Sequence, residues 1–449
     1  MGDIRILRQR MQAPAPYRLC MTRCRSVKLL HATRRFVTFF RKISQFTKSL
    51  SRAAALPAKK RNAAVKDPCP KVCIGLRKKL ITGLIFMTNE LDKFNMTQVS
   101  AQQWEYVTRD DLTPKEAVAF LLDGMKLRGF CEIMYRVCGT YDVEKQLVSG
   151  LCALSASNVQ PDSIRKKVQN WMSGKSIPSD REEVFRLCFV LQLDLDRSEQ
   201  LLLLLTEQGI HYRNPREMIY AYCLRHRRDF LYAQAMINRV CSEAAREESA
   251  VPMTGVIRRK FLDVTEEKSL YAFISEHNTE LGDMNNTAYY YFCEMLGLLT
   301  GDELEGENRY SMEAVADMYL SMNVPKGKNV ARYSDIQRMV KKYWPGPRSI
   351  KAMKSRSEDV NRKTLLLLYI VTGGSLNSQY DELDESYISP RQFLEEHCRR
   401  VNEMLRQCGM CRIDPRNAFD YLVLYCLRPE NELFMSDRMS ALAAELFRN

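Results

Sequence analysis

Apolar residues recur at helical spacing over most of this chain. Val184, Leu187, Cys188 and Leu191 share one face of a turn-rich segment, and Ile164, Val168 and Trp171 fall at i, i+4 and i+7 of another. No series of alternating β-branched strands bounded by hairpin turns is visible. One start device repeats: a capping residue, proline, a basic residue, then Glu or Gln. It occurs as Thr113-Pro-Lys-Glu116, Asn214-Pro-Arg-Glu217 and Ser389-Pro-Arg-Gln392, with Ser179-Asp-Arg-Glu182 as a version without proline. The side-chain oxygen accepts from an orphan N–H, the Glu or Gln reaches back, and proline sits where a missing donor is harmless.

These patterns predict helices over 113–137, 142–155, 162–173, 179–192, 197–208, 215–228 and 230–247. A second set is predicted over 266–279, 286–299, 311–323, 334–343, 358–371, 389–408, 416–428 and 436–447. The fold class expected is all-α, multi-helical, with connections near 248–262 and 300–310 as boundaries. An internal echo accompanies the pattern. Gly209-Ile-His-Tyr-Arg-Asn-Pro-Arg216 and Gly409-Met-Cys-Arg-Ile-Asp-Pro-Arg416 place Gly, a polar cap, Pro and Arg at equal spacing, and each runs into Tyr-Cys-Leu-Arg, at 222–225 and 425–428. Duplication and convergence on good hairpin chemistry both account for it.

Composition changes this picture in one place. The 449 residues suffice for roughly three domains of ~150 residues, and 45% hydrophobic with 27% charged residues argues against whole-chain disorder or a polytopic membrane protein. The formal charge of +14 is unevenly distributed. Residues 1–86 hold 21 Lys/Arg against Asp3 and Asp67, a net of +19, and the remainder carries a net of −5. Within the basic segment Phe36, Phe39, Phe40, Ile43, Phe46 and Leu50 fall at helical spacing, beside Arg41, Lys42 and Lys48. A membrane-surface helix, a transit sequence, a flexible basic arm and a reading frame begun too early, with Met87 or Met96 as the start, all fit. No apolar run there approaches the ~20 residues of a membrane span, and the flexible arm or early start is favoured over the surface helix and the transit sequence, so membrane association is not expected.

Fifteen cysteines, an odd number in a chain well supplied with apolar residues, point to reduced thiols in a cytoplasm rather than a disulfide framework. Cys20/Cys24 with Cys69/Cys73, and Cys408/Cys411 with His397 and Cys398, have spacings that invite a zinc test. The second set fails if 390–408 is one helix, because ten residues separate Cys398 from Cys408 by ~15 Å along its axis. No metal or other cofactor is expected. No catalytic residue is expected either, for the chain lacks the Walker, dinucleotide, His-Glu-x-x-His and Gly-x-Ser-x-Gly motifs. The acidic run Asp381-Glu-Leu-Asp-Glu385 lacks the spacing of a calcium loop and reads as an exposed linker.

The most informative stretch is 161–205. Pro161-Asp-Ser-Ile-Arg-Lys-Lys-Val-Gln-Asn-Trp-Met172 is a short basic helix, Gly174 to Pro178 a tight loop, and a capped apolar helix follows. With Trp171, Gly174 and Pro178 in the frame of an aromatic, a spaced glycine and a proline, residues 141–230 resemble the lambda-repressor-like (Cro-type) helix-turn-helix regulators. Ser155 to Gln160, ahead of the basic helix, is longer and more polar than that family's usual turn. The resemblance implies a cytoplasmic bacterial transcriptional regulator that binds double-stranded DNA as a homodimer. It implies base contacts from Arg165, Lys166 and Gln169, the types that suit guanine and adenine edges, and phosphate contacts from Lys167, Asn170 and Lys175. The alternative reading is a non-enzymatic helical interaction or scaffold protein with a degenerate helix-turn-helix.

The expected organisation is then a basic extension (1–86), a helical lead-in (87–140), the helix-turn-helix domain with its extension (141–247), and a C-terminal helical domain (263–449). The last is expected to serve dimerisation, signal input or a protein partner. Residues 326–363, with 12 Lys/Arg and three acids, form a second basic helix, Pro/Gly loop and leucine-rich helix, read as a solvated face or as a second DNA-contacting unit.

Overall fold

The computed structural model describes residues 98–139, 142–155, 160–178, 180–240, 254–300, 312–325, 333–374, 390–428 and 434–448. The basic segment 1–86, with its amphipathic stretch and Cys20, Cys24, Cys69 and Cys73, lies outside them, as do the acidic run 381–385 and the capping candidates Ser179 and Ser389. The described residues are all-α, with nineteen α-helices and no strand. None of these helices is long and apolar enough to cross a membrane.

In chain order they are α1 (Gln98–Val107), α2 (Pro114–Ala119, continued by a π-helical turn, Phe120–Gly124), α3 (Phe130–Cys138), α4 (Val143–Leu154) and α5 (Pro161–Met172). Then come α6 (Arg181–Val190), α7 (Leu195–Thr206), α8 (Pro215–Arg225), α9 (Phe230–Arg239), α10 (Thr254–Leu262) and α11 (Glu267–Glu276). The last eight are α12 (Asn286–Thr300), α13 (Met312–Leu320), α14 (Asp335–Lys341), α15 (Pro347–Lys354), α16 (Arg362–Val371), α17 (Pro390–Gln407), α18 (Ala418–Cys426) and α19 (Met435–Leu446).

The capping chemistry operates with local shifts. Thr113 forms a complete capping box with Glu116. Asn214 accepts from the Arg216 and Glu217 N–H groups, but the Glu217 carboxylate is taken by Arg181 instead of reaching back. At α6 the cap is Asp180. Three expectations fail for identifiable reasons. The helix over 113–137 is broken, because after Gly124 the chain runs extended at Met125 before Gly129 opens α3. The connection 248–262 contains α10, whose Ile257 and Phe261 are fully buried. The helix over 358–371 begins at Arg362, because the N–H groups of Ser357 and Glu358 bond back to the Ala352 carbonyl at the end of α15.

Buried apolar side chains form two clusters. One runs from Phe130 to Leu281 and is built by α3 to α11, with Trp171, Phe185, Tyr220 and Phe230 among its aromatic members. The other joins α1 and α2 to α12–α19 around Phe292, Leu365 to Ile370, Tyr421 and Tyr425. The lead-in is therefore divided between them. The side chain of Arg428 and the Tyr425 hydroxyl both reach the Leu112 carbonyl, tying the start of the described chain to its end.

The internal echo extends to several matching positions in the two clusters, although α14 has no counterpart between α4 and α5. Arg181 and Arg362 each stand first in their helix, α6 and α16. Each helix is followed by a left-handed residue, Gln192 (φ 50°) and Gly373 (φ 64°). Asn214 and Asn417 cap α8 and α18, and Tyr-Cys-Leu-Arg begins eight residues beyond each cap. The equal Pro spacing seen in sequence is a misleading register. Asp414 does not cap a helix; its N–H bonds the Asp420 carboxylate (2.8 Å), Pro415 precedes the true cap, and α18 begins at Ala418.

Two histidines make stability depend on pH. His397 is 7% exposed, with Nδ1 2.8 Å from the Tyr369 hydroxyl, and Gly374 (φ 76°) passes so close that a Cβ there would lie 2.9 Å from both side chains. Burial first, and then Arg400, lowers its pKa from 6.5 to about 4; burial does the same to His211. Unfolded imidazoles take up protons near 6.5 and folded ones only near 4, so within that window the unfolded chain binds more protons. Stability is expected to be full above pH 6.5 and to fall by ~2–3 kcal/mol per histidine towards pH 4. Urea midpoints measured between pH 7.5 and 4.5 check this, and a His397→Gln variant should show a shallower slope.

Candidate nucleic-acid interface

The basic helix α5 is amphipathic with its apolar stripe inward. Ile164, Val168 and Trp171 are buried, and the Trp171 ring lies 5.8 Å from that of Phe130 in α3. Pro161 occupies the first turn, and Asp162 there suits the positive end of the helix dipole. The helix ends on Gly174 (φ 75°), where the N–H groups of Lys175 and Ser176 both bond to the Asn170 carbonyl.

Packing around α5 follows from neighbouring side chains. Helix α4 lies against both α5 and α6, and α7 lies against α3 and α6. The α4–α6 approach needs Gly150, since a Cβ there would lie 2.3 Å from Val190 Cγ1. Residues 156–159, between α4 and α5, lie outside the described residues.

On the outward side Arg165, Lys166 and Gln169 are all exposed. Arg165 pairs with Asp162 at 2.7 Å, one helical turn away. Of the three residues assigned to phosphate, Lys167 is drawn into an ion pair with Glu183 on α6 and sits 5.1 Å over the Trp171 ring. Asn170 is half-buried and Lys175 exposed beyond the helix end. The three base-reading candidates are thus brought to one face, whereas the phosphate candidates are scattered. Sequence reasoning missed the countercharges: Asp162 was legible from its spacing to Arg165, but Glu183 becomes a neighbour only through the α5–α6 turn.

The second basic region is less basic at its surface than in composition. Residues 326–332 lie outside the described part. Arg362 is buried and paired with Asp420, and Lys363 donates to the carbonyls of Met339 and Val340 at 3.0 and 2.7 Å. Burial lowers the Lys363 pKa to about 8. Arg356 turns back to Asn286 and lies 4.8 Å over the Tyr289 ring. Arg348, Lys351 and Lys354 are exposed along α15, which carries no acidic residue.

Cys398 lies within α17 and Cys408 just beyond its end, and burial pushes the thiols of Cys398 and Cys411 up to about 12. Among the described residues no three His, Cys, Asp or Glu side chains are grouped so as to hold a metal ion. A cavity of about 410 Å3 lies where the two helix series meet. Its wall includes Arg181 and Glu217, which are already paired to each other at 2.6 Å. No family model matches the chain, and neither a curated protein nor a solved structure matches it.

Proposed function

We propose that the chain binds double-stranded DNA through α5 and acts as a sequence-specific transcriptional regulator. The observation that carries this reading is the outward face of α5. Arg165, Lys166 and Gln169 project from a helix whose opposite face is locked into the core by Val168 and Trp171. A helix held this way presents its side chains in fixed register, as base-edge contacts in a major groove require. In this reading Lys166 and Gln169 contact bases directly, and Arg165 exchanges Asp162 for a guanine edge. Lys175, beyond the helix end, fixes position on a phosphate.

A combined Arg165→Ala, Lys166→Ala and Gln169→Ala variant of the full chain tests this, with a duplex selected by the parent protein from a random-sequence pool. Loss of about 1–3 kcal/mol per well-made base contact is expected, which is more than a hundredfold in total. Thermal unfolding should hardly change, because all three side chains are exposed. Equal binding by variant and parent, or a parent that enriches no duplex, would overturn the proposal in favour of a helical protein-interaction function.

A further inference from the structure

The repetition of the helix series extends to α5 itself. After α5, Ser173 N–H bonds Gln169 O, Gly174 bonds Trp171 O, and Lys175 and Ser176 bond Asn170 O. After α15, Ser355 bonds Lys351 O, Arg356 bonds Met353 O, and Ser357 and Glu358 bond Ala352 O. One constant shift superposes all four bonds and also equates the left-handed residues Gly174 and Arg356 (φ 75° and 55°). Under it the buried Val168 and Trp171 correspond to the buried Ile350 and Met353. The outward Lys166 and Gln169 correspond to the exposed Arg348 and Lys351, whereas Met172, half-buried against the first cluster, stands where α15 has the exposed Lys354.

The contact between the two series is itself reciprocal. Gln208 and Met410 form an isolated antiparallel bridge, flanked by Gly209 N–H to Gly409 O and Cys411 N–H to Glu207 O, both 2.8 Å. Each loop leaves its helix through a left-handed residue, Glu207 in one and Gly409 in the other. Exchanging 207 with 409, 208 with 410 and 209 with 411 turns one of these hydrogen bonds into the other. Arg213, before the α8 cap, donates to Glu280 O ahead of α12, at 2.7 Å. Arg416, before the α18 cap, donates to Lys126 O ahead of α3, at 3.0 Å. The exchange at the bridge belongs to any antiparallel pair; the Arg213 and Arg416 contacts, made from matching positions to the chain ahead of α12 and of α3, are what an internal two-fold interface adds.

We infer that α15 is a second DNA contact, placed by this internal two-fold relation, so that a single chain grips one duplex with two equivalent helices. The inference rests on the DNA-binding reading of α5. It replaces the expected homodimer by an internal pair. Because α15 carries Arg348, Lys351 and Lys354 and no acid, its contribution is chiefly to phosphate. The DNA site is then two unlike halves, the α5 half more sequence-dependent than the α15 half.

The test uses the full chain and a duplex selected by it. Native mass spectrometry is expected to show one chain per duplex. Replacing Arg348, Lys351 and Lys354 together by Gln should weaken binding about tenfold or more and reduce the logarithmic salt slope by about 2–3, near 0.9 for each phosphate no longer neutralised. It should also shorten the nuclease footprint to the α5 half. Circular dichroism melting of this variant establishes that it is folded, and Lys351→Gln alone supplies a milder version if it is not. An α15 variant with parental affinity, slope and footprint, while the α5 variant has lost binding, overturns this inference alone. So does a complex of two chains on a palindromic duplex. Parental binding by the α5 variant overturns the DNA-binding reading and this inference together.

Discussion

Replacing Arg362 by Met, or Asp420 by Leu, is expected to cost ~3–5 kcal/mol of stability, because either change leaves its former partner buried and unpaired. The two side chains are 3% and 1% exposed and meet in a forked pair, Nη1 to Oδ1 at 2.7 Å and Nη2 to Oδ2 at 2.8 Å. Burial works against the guanidinium charge, but Asp420 beside it outweighs that and raises the Arg362 pKa. The double replacement should lose less than the sum of the two single ones. It will not recover parental stability, because the Cys411 and Arg412 carbonyls lose the donor Arg362 and the Asp414 N–H loses the acceptor Asp420. Urea unfolding of the four proteins measures the coupling, and strict additivity would contradict it. The related pair Arg181–Glu217, 27% and 12% exposed, should matter less when broken.

That pair shows what could be read along the chain and what could not. Helix existence was legible wherever a cap, a proline and a regular apolar stripe coincided, as at Thr113, Asn214 and α5. Boundaries slipped where a neighbouring residue could cap equally well, and Asp180 took the place expected of Ser179. Helix α10 was hidden because its fully buried Ile257 and Phe261 stand amid the cations Arg258, Arg259 and Lys260. The repeat was glimpsed through Gly, Pro and Arg in a false register. Its determinants are the helix-leading arginines, the Asn caps and the left-handed residues, and these become equivalent only once backbone hydrogen bonds are known. At α5 the inward and outward faces followed from spacing alone. The pairing of Lys167 with Glu183 did not, since sixteen residues separate them in sequence.

Trp171 is where stability and the proposed function can be pulled apart. It is 2% exposed, packs its ring near Phe130 and carries Lys167 over it. Trp171→Ala removes one of the largest side chains from the first cluster, and a loss of ~3–5 kcal/mol is expected from transfer and cavity terms together. Because the helix it anchors is the one proposed to enter the groove, DNA affinity should fall with it, even at temperatures where α8 and α9 remain folded. Trp171→Phe keeps an aromatic contact to Phe130 and should retain most of both properties. Lys166→Ala, on the opposite face, should lose affinity with an unchanged melting midpoint. Chemical unfolding and duplex binding measured on these three variants separate a residue that holds α5 in place from one that uses it. A Trp171→Ala protein within ~1 kcal/mol of the parent would show that the core closes without this anchor. It would also mean that the register of Lys166 and Gln169 is set elsewhere, by the α4–α5 contact or by the Gly174 turn.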